Sequence, residues 1–131
     1  MKQIWAQRVA VFEYIFSCLI SEESDPNVII NNFKTYDKYN RLNDWQLKII
    51  ENFAYSLNDY HNLIKDNLKS KWSYEEFDNV SKAIIMEAIS EWNTYKTDKA
   101  ILIDQSLITI NKYADKHLKK IVNAILDKIL V

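Results

Sequence analysis

The stretch LKKIVNAILDKIL, residues 118–130, carries the clearest pattern in this chain of 131 residues. Apolar residues recur in it at intervals of three and four: Leu118, Ile121, Val122, Ile125, Leu126 and Ile129. That spacing places them on one face of an amphipathic helix, so the stretch predicts a helix packed against a core. Asn123 and the neighbouring Asp127 and Lys128 interrupt the apolar residues, and a helix that serves only as core needs none of them.

The same periodicity predicts helices along the rest of the chain. We expect them at about residues 2–21, 26–34, 44–68, 78–93 and 98–114, with a short helical turn at 73–77. No segment has the alternating pattern of a convincing strand. The predicted fold class is therefore all-α: one domain, residues 1–131, with six to seven helices in two small lobes, about 1–70 and 71–131, that meet near 70–73.

The composition excludes several enzyme classes. The chain has no glycine and one proline, Pro26. Phosphate-cradling loops, dinucleotide-binding turns and nucleophile elbows all depend on glycine, so none of these is expected. Turns that require positive φ must use another residue, and we expect Asn or Asp there.

The few metal-ligating side chains have no suitable spacing. His61 and His117 are the only histidines and Cys18 is the only cysteine, so we expect no metal, no cofactor and no Cys–His nucleophile. A free thiol fits a reducing compartment. Because no run of eighteen apolar residues is present, we expect no transmembrane helix, no membrane partner and a cytoplasmic location.

Two pairs of carboxylates are candidates for catalytic groups. Glu75 adjoins Glu76, and Glu87 lies four residues before Glu91. In a helical chain with this density of charge, such pairs are typical of solvated helix faces, so we expect them at the surface and expect no enzyme activity.

Three segments, in order, resemble the NusB family of bacterial transcription antitermination factors. DNVSKAIIMEAISEWN (78–93) is similar to that family's V.RAILRLA.YEL helix, AILIDQSLITINKYA (100–114) to VAINEAVELAKKYG, and LKKIVNAILDKIL (118–130) to FVNGVLDKI. In the first helix, AQRVAVFEYIF (6–16) stands where the family has ARxxAVQALY. Residues 22–70 agree in helix order and length only.

The resemblance implies a function as well as a fold. NusB proteins are all-helical, with two lobes, and no catalysis is involved. They bind the boxA element of nascent ribosomal RNA together with NusE, a small-subunit ribosomal protein, in the transcription elongation complex. Some self-associate, so the resemblance implies a monomer or a weak homodimer.

The first helix departs from the family pattern. The family has an arginine-rich stretch there that contacts RNA, whereas this chain has KQIWAQR, with only Lys2 and Arg8 charged and Gln7 in the place of the last arginine. Ile121 replaces an aromatic residue and Ala124 a glycine. Because the formal net charge is −1, any RNA-binding surface must be a local patch.

The densest basic cluster lies between residues 112 and 120. It contains Lys112, Lys116, His117, Lys119 and Lys120. Lys116 and Lys120 are four residues apart, so we expect them on one helical face near a helix start, where backbone amides also attract anions. The alternative is an ordinary solvated surface.

The predicted RNA-contacting residues combine this cluster with parts of the first and last helices. They are Lys2, Arg8, Tyr14, Lys116, Lys119, Lys120 and Asn123. Arg8 fits either a phosphate clamp or an internal salt bridge. The aromatic residues that interleave with Arg8 could stack on bases: Trp5, Phe12, Tyr14 and Phe16. The helical spacing of Trp5, Phe12 and Phe16 is more typical of the core, whereas Tyr14 falls off that stripe and is expected to be exposed.

The RNA hypothesis requires the first and last helices to lie side by side and pool their cations in one groove. Two alternatives remain open. One is a protein–protein interaction module with the NusB fold and little or no RNA affinity, which the near-neutral charge favours. The other is a relative of the NusB-like domain that precedes rRNA cytosine methyltransferases.

Overall fold

The computed structural model describes residues 2–36, 42–68 and 73–131. Across these ranges the chain forms six helices and no strand: α1 (Lys2–Ser21), α2 (Pro26–Thr35), α3 (Asp44–Asn67), α4 (Asn79–Tyr95), α5 (Lys99–Tyr113) and α6 (Leu118–Ile129). The all-α prediction is confirmed, and the predicted helix bounds agree to about two residues. The predicted lobe boundary falls largely on residues 69–72, which lie outside the described part.

Side-chain caps begin four of these helices. The carboxylates of Asp25, Asp78 and Asp98 accept hydrogen bonds from backbone N–H groups in the first turns of α2, α4 and α5. At the start of α3, Asn43 and Gln46 form a capping box, in which each side chain accepts from the other residue's backbone N–H. These bonds satisfy amides that have no partner within the helix, which explains why the helix starts could be predicted.

Positive φ angles occur at residues that the sequence did not suggest. Glu22, after α1, has φ 56°, and Lys96, at the end of α4, has φ 55°. The prediction that Asn or Asp would fill such positions is wrong for both. At the ends of α1 and α4 the left-handed conformation therefore falls on residues that carry a Cβ and are neither Asn nor Asp.

Helix α4 is the centre of the bundle. It packs against α1, α3, α5 and α6, and every residue from 81 to 91 is buried. Helix α3 also has four neighbours: α1, α2, α4 and α6. Because α4 is surrounded by these helices, its polar residues between 81 and 91 lie inside the protein.

Helix α1 is apolar because it packs against α3 and α4 in the core. The window Ile4–Ser21 has a mean hydropathy of 1.2, which by length and composition alone would suffice to cross a membrane, and 33% of it is buried in the bundle. Val11 and Ile15 are 0% exposed. The core between α1, α3 and α4 therefore accounts for the apolar composition of this helix.

Candidate nucleic-acid interface

Arg8 points into the interface between α1, α4 and α5. Its Nε donates to Glu91 Oε1 at 2.7 Å and its Nη2 to Glu91 Oε2 at 2.9 Å. Nη1 donates to Gln105 Oε1 at 3.0 Å. The side chain is 11% exposed. Of the two roles that the sequence left open, the structure shows the internal salt bridge, so Arg8 does not present its charge to a nucleic acid.

Glu87 and Glu91 are buried, and the prediction of a solvated face is wrong. They are 5% and 0% exposed, because this face of α4 is covered by α1 and α5. Burial raises the pKa of Glu87 well above its ordinary value, and the negative charge of Glu91 raises it further. Burial also tends to raise the pKa of Glu91. Hydrogen bonds from Arg8 and Glu87 lower that pKa by more, so it lies below its ordinary value. Burial and Glu91 therefore both favour the protonated form of Glu87, whereas Arg8 favours the ionised form of Glu91.

Tyr14 is also buried, contrary to the prediction of an exposed aromatic side chain. It is 4% exposed, and its hydroxyl donates to the carbonyl of Ile29 at 2.6 Å. Its ring lies 4.9 Å from that of Phe33 and 5.1 Å from that of Tyr36. Because α1 has neighbours on several sides, a residue off its main apolar stripe still faces protein. Tyr14 therefore offers no surface for a base.

Helices α1 and α6 do not lie side by side. Helix α1 packs on α3 and α4, whereas α6 packs on α3, α4 and α5, and the described residues of α1 and α6 share no extensive interface. The prediction of a groove between the first and last helices is therefore wrong. Contacts from the N-terminal half of α1 reach the C-terminal half of α5 instead.

Two aromatic rings and a lysine mark this contact between α1 and α5. Trp5 Nε1 donates to Thr109 Oγ1 at 3.1 Å. Lys112 Nζ lies 5.0 Å from the ring centroid of Trp5 and 5.7 Å from that of Tyr113. The Tyr113 ring is in turn 5.6 Å from that of Phe12. We refer to Trp5, Lys112 and Tyr113 as the aromatic–lysine cluster.

The sequence indicates two members of this cluster separately, Trp5 as a residue of the core or a stacking site and Lys112 as part of the basic cluster. It does not predict Tyr113 or the assembly of the three, because their positions on different helices are related only through the fold. One sequence signal pointed to the site: Trp5 stands within the stretch where the NusB family has arginines.

The basic residues that follow α5 begin next to this cluster. Lys116 and Lys120 are exposed and Lys119 is half-buried. Three residues span at most about 11 Å, so the backbone at Lys116 lies within that distance of Tyr113. We refer to Lys112, Lys116, Lys119 and Lys120 as the basic segment. Of these four cations, the structure brings Lys112 against α1, through its contact with Trp5.

The local geometry of this segment differs from the prediction. Helix α6 begins at Leu118, so Lys116 precedes it and lies in a turn, where its carbonyl accepts from Lys119 N at 3.1 Å. Lys116 is thus just outside the helix that contains Lys120, and the expectation that their side chains share one face stays a prediction. His117 pairs with Asp115, with Nδ1 and Oδ1 2.7 Å apart, and its backbone and side-chain hydrogen bonds lower the pKa of that carboxylate.

The remaining candidates have varied surroundings. Asn123 is exposed on α6, and its predicted RNA contact stays a prediction. The side chain of Lys2 lies outside the described part. Asp127 holds two helices together, since Lys99 Nζ lies 3.0 Å from its Oδ1 and donates to its carbonyl at 2.8 Å.

No arrangement for metal binding is present among the described residues. Across residues 2–36, 42–68 and 73–131, no three His, Cys, Asp or Glu side chains are grouped so as to hold a metal ion. His61 contacts Tyr74, and Cys18 is a buried free thiol. Burial lowers the pKa of His61, and Lys82 lowers it further.

Comparison with known proteins places the chain in a family. The family described as "Domain of unknown function (DUF1948)" matches residues 4–130. The protein MG027 of Mycoplasma genitalium is 33% identical, over 95% of this chain and 89% of that protein. The transcription antitermination protein NusB of Borrelia garinii subsp. bavariensis is 27% identical, over 94% of this chain and 90% of that protein.

Solved structures agree with these sequence relationships. A conserved hypothetical protein from Mycoplasma genitalium, described as showing structural homology to NusB proteins, superposes with a TM-score of 0.75 at 31% identity, covering 83% of this chain and 85% of that one. NusB of T. maritima superposes with a TM-score of 0.74 at 25% identity, covering 96% and 89%. The chain therefore belongs to the DUF1948 family, and its fold is that of the NusB proteins.

Proposed function

We propose that this protein is an RNA-binding transcription antitermination factor of the NusB type. It would bind boxA-type leader RNA of ribosomal RNA transcripts and join it to a NusE-like ribosomal protein in the elongation complex. This role needs no catalysis or cofactor and belongs in the cytoplasm.

The observation that supports the proposal is the basic segment, which begins at the end of α5 with Lys112 against Trp5 of α1. Three lysines of this segment are exposed: Lys112, Lys116 and Lys120. Among the residues that the structure describes, none of the three has a carboxylate within salt-bridge distance. The chain as a whole is not basic, with 17 basic and 18 acidic residues, so the segment is a local concentration of positive charge. A local cluster of lysines attracts RNA phosphates mainly through release of counterions. The segment adjoins exposed aromatic surface, as expected where single-stranded RNA is bound.

Binding of a boxA-type RNA of about 12 nucleotides, followed by fluorescence anisotropy, tests this proposal. We expect binding that weakens as salt is raised from about 50 to 200 mM. The triple variant Lys116→Ala/Lys119→Ala/Lys120→Ala should bind more weakly, and the slope of log affinity against log salt should fall by about 2.

A matched control separates the basic segment from general charge. Lys34, Lys48 and Lys65 are exposed lysines on α2 and α3, and replacing all three by alanine changes the net charge equally. This control should keep nearly wild-type affinity and slope. Equal losses in both triple variants would show that the RNA site lies elsewhere.

A protein–protein interaction module is the second candidate function. The burial of Arg8 against Glu91 favours it, because the first helix then lacks a described, exposed cation that could clamp a phosphate. Co-purification with a NusE-like ribosomal protein, without any RNA shift in its presence or absence, would establish this function in place of the first.

A further inference from the structure

We propose that Trp5, framed by Lys112 and Tyr113, is the stacking site for one unpaired base of the bound RNA. The inference rests on the proposed RNA-binding function and deepens it. It assigns to one aromatic residue a role that the arginine-rich stretch of NusB proteins fills with cations.

The Trp5 ring is held in a fixed orientation and can still be reached from outside. The hydrogen bond from Nε1 to Thr109 Oγ1 fixes one edge of the indole. Thr109 Oγ1 in turn donates to the carbonyl of Gln105 at 3.0 Å, so the acceptor is itself anchored to α5. Trp5 is partly exposed, and the group that lies 5.0 Å from its ring centroid is Nζ of Lys112, an exposed side chain that a ligand could displace.

Tyr113 adds exposed aromatic surface to the cluster. It is 41% exposed, and Lys112 Nζ lies 5.7 Å from its ring centroid and 5.0 Å from that of Trp5. A nucleobase has two apolar faces and hydrogen-bonding edges, so this surface suits it better than a phosphate.

Charge complementarity identifies the occupant as a nucleic acid. Lys112 contacts both aromatic rings, and the basic segment continues from it to Lys116, Lys119 and Lys120. A base stacked on Trp5 would displace the Lys112 ammonium from the ring towards the adjoining phosphate. The arrangement of a flat aromatic platform with cations along one side is that of single-strand binding sites.

The exchange of arginine for tryptophan has a measurable consequence. Stacking does not release counterions, whereas phosphate contacts do, so loss of Trp5 should lower affinity without changing the salt slope. Loss of Lys112 should instead remove a phosphate contact and reduce the slope of log affinity against log salt by about 0.7.

RNA binding by Trp5→Ala, Trp5→Phe and Lys112→Ala tests the assignment, with Trp92→Phe as the matched control. Trp92 is also partly buried, with Lys96 Nζ 5.6 Å from its ring, but lies on α4. We expect Trp5→Ala to weaken binding of the boxA-type RNA by about 5-fold to 100-fold at an unchanged salt slope. Trp5→Phe retains a stacking surface and should restore most of the affinity.

Tryptophan fluorescence gives a readout that a purely structural role would not move. Addition of RNA should quench the fluorescence of the wild type and of Trp92→Phe, and should quench Trp5→Phe much less. Wild-type affinity and quenching in the Trp5 variants would overturn the stacking assignment alone. Absence of RNA binding by the wild type would overturn both this assignment and the proposed function.

Discussion

Arg8 contributes to stability at the centre of the molecule because its partner is a buried carboxylate. Replacing Arg8 by Met leaves ionised Glu91 without a counter-charge, and we expect a loss of about 3–5 kcal/mol in the free energy of unfolding. The double variant Arg8→Met/Glu91→Leu removes both charges and should recover most of that loss. Chemical denaturation measures both; a single variant as stable as the wild type would show that the ion pair is unimportant.

Glu87 gives the protein a pH dependence of a specific sign. Because folding raises its pKa above the ordinary 4.5, the folded state holds more protons than the unfolded state above that pH. Stability therefore falls as pH rises through this range. Glu87→Gln should match the wild type near about pH 4 and be more stable than it at about pH 8.

Thermal unfolding of both proteins across this pH range measures the effect. Glu91 acts in the opposite sense, since its lowered pKa gives stability that is lost as pH falls below about 4.5. The part of that contribution that comes from Arg8 is present in both proteins and cancels in the comparison. A constant difference between wild type and Glu87→Gln at all pH values would contradict protonation of Glu87.

Tyr14 separates the structural role of α1 from its proposed binding role. Tyr14→Phe leaves the Ile29 carbonyl without its buried donor, and we expect a loss of about 1–3 kcal/mol in stability. RNA affinity should stay at the wild-type level at temperatures where the variant is folded. A selective loss of RNA affinity at unchanged stability would return Tyr14 to the RNA site.

At the scale of single elements, the end of α4 is strained because the chain has no glycine. Lys96 adopts φ 55° and ψ 35°, a conformation that costs a non-glycine residue about 1–2 kcal/mol. Lys96→Gly relieves this cost but gives up the contact with Trp92 and increases the freedom of the unfolded chain. We expect a net gain of about 0.5–1 kcal/mol in thermal unfolding experiments, with Lys96→Ala showing none.

The helices themselves could be predicted because their determinants are local. Asp25, Asn43, Asp78 and Asp98 cap their own helices within three residues, so the starts of those helices can be read from short segments. The side of each helix that is buried depends on how many neighbours surround it. The assumption of one apolar stripe failed for Tyr14 on α1 and for Glu87 on α4, since both helices are enclosed on more than one side.

At the scale of the whole molecule, the candidate site is assembled from distant parts of the chain. Arg8 is 83 residues from Glu91 and 97 from Gln105, and Trp5 is 104 residues from Thr109. No local pattern encodes such contacts. The sequence could therefore indicate the basic segment, whose residues are close together in the chain. It could not choose between the two roles of Arg8, and it could not predict the pairing of Trp5 with α5.

The balance of charge over the molecule suits a focused RNA site. With a net charge of −1, long-range attraction of RNA is weak, and affinity has to come from short-range contacts at the basic segment and the aromatic–lysine cluster. This distinguishes the protein from strongly basic RNA-binding domains, whose surfaces attract RNA over a wide area.

Backbone amide NMR during titration with the boxA-type RNA tests the central claim most directly, because it locates the bound RNA on the folded protein. We predict that the largest chemical-shift changes occur at the N-terminal half of α1, the C-terminal half of α5 and the residues of the basic segment. Changes confined to the opposite ends of these helices, around Glu22 and Lys99, or no changes at saturating RNA, would contradict the account.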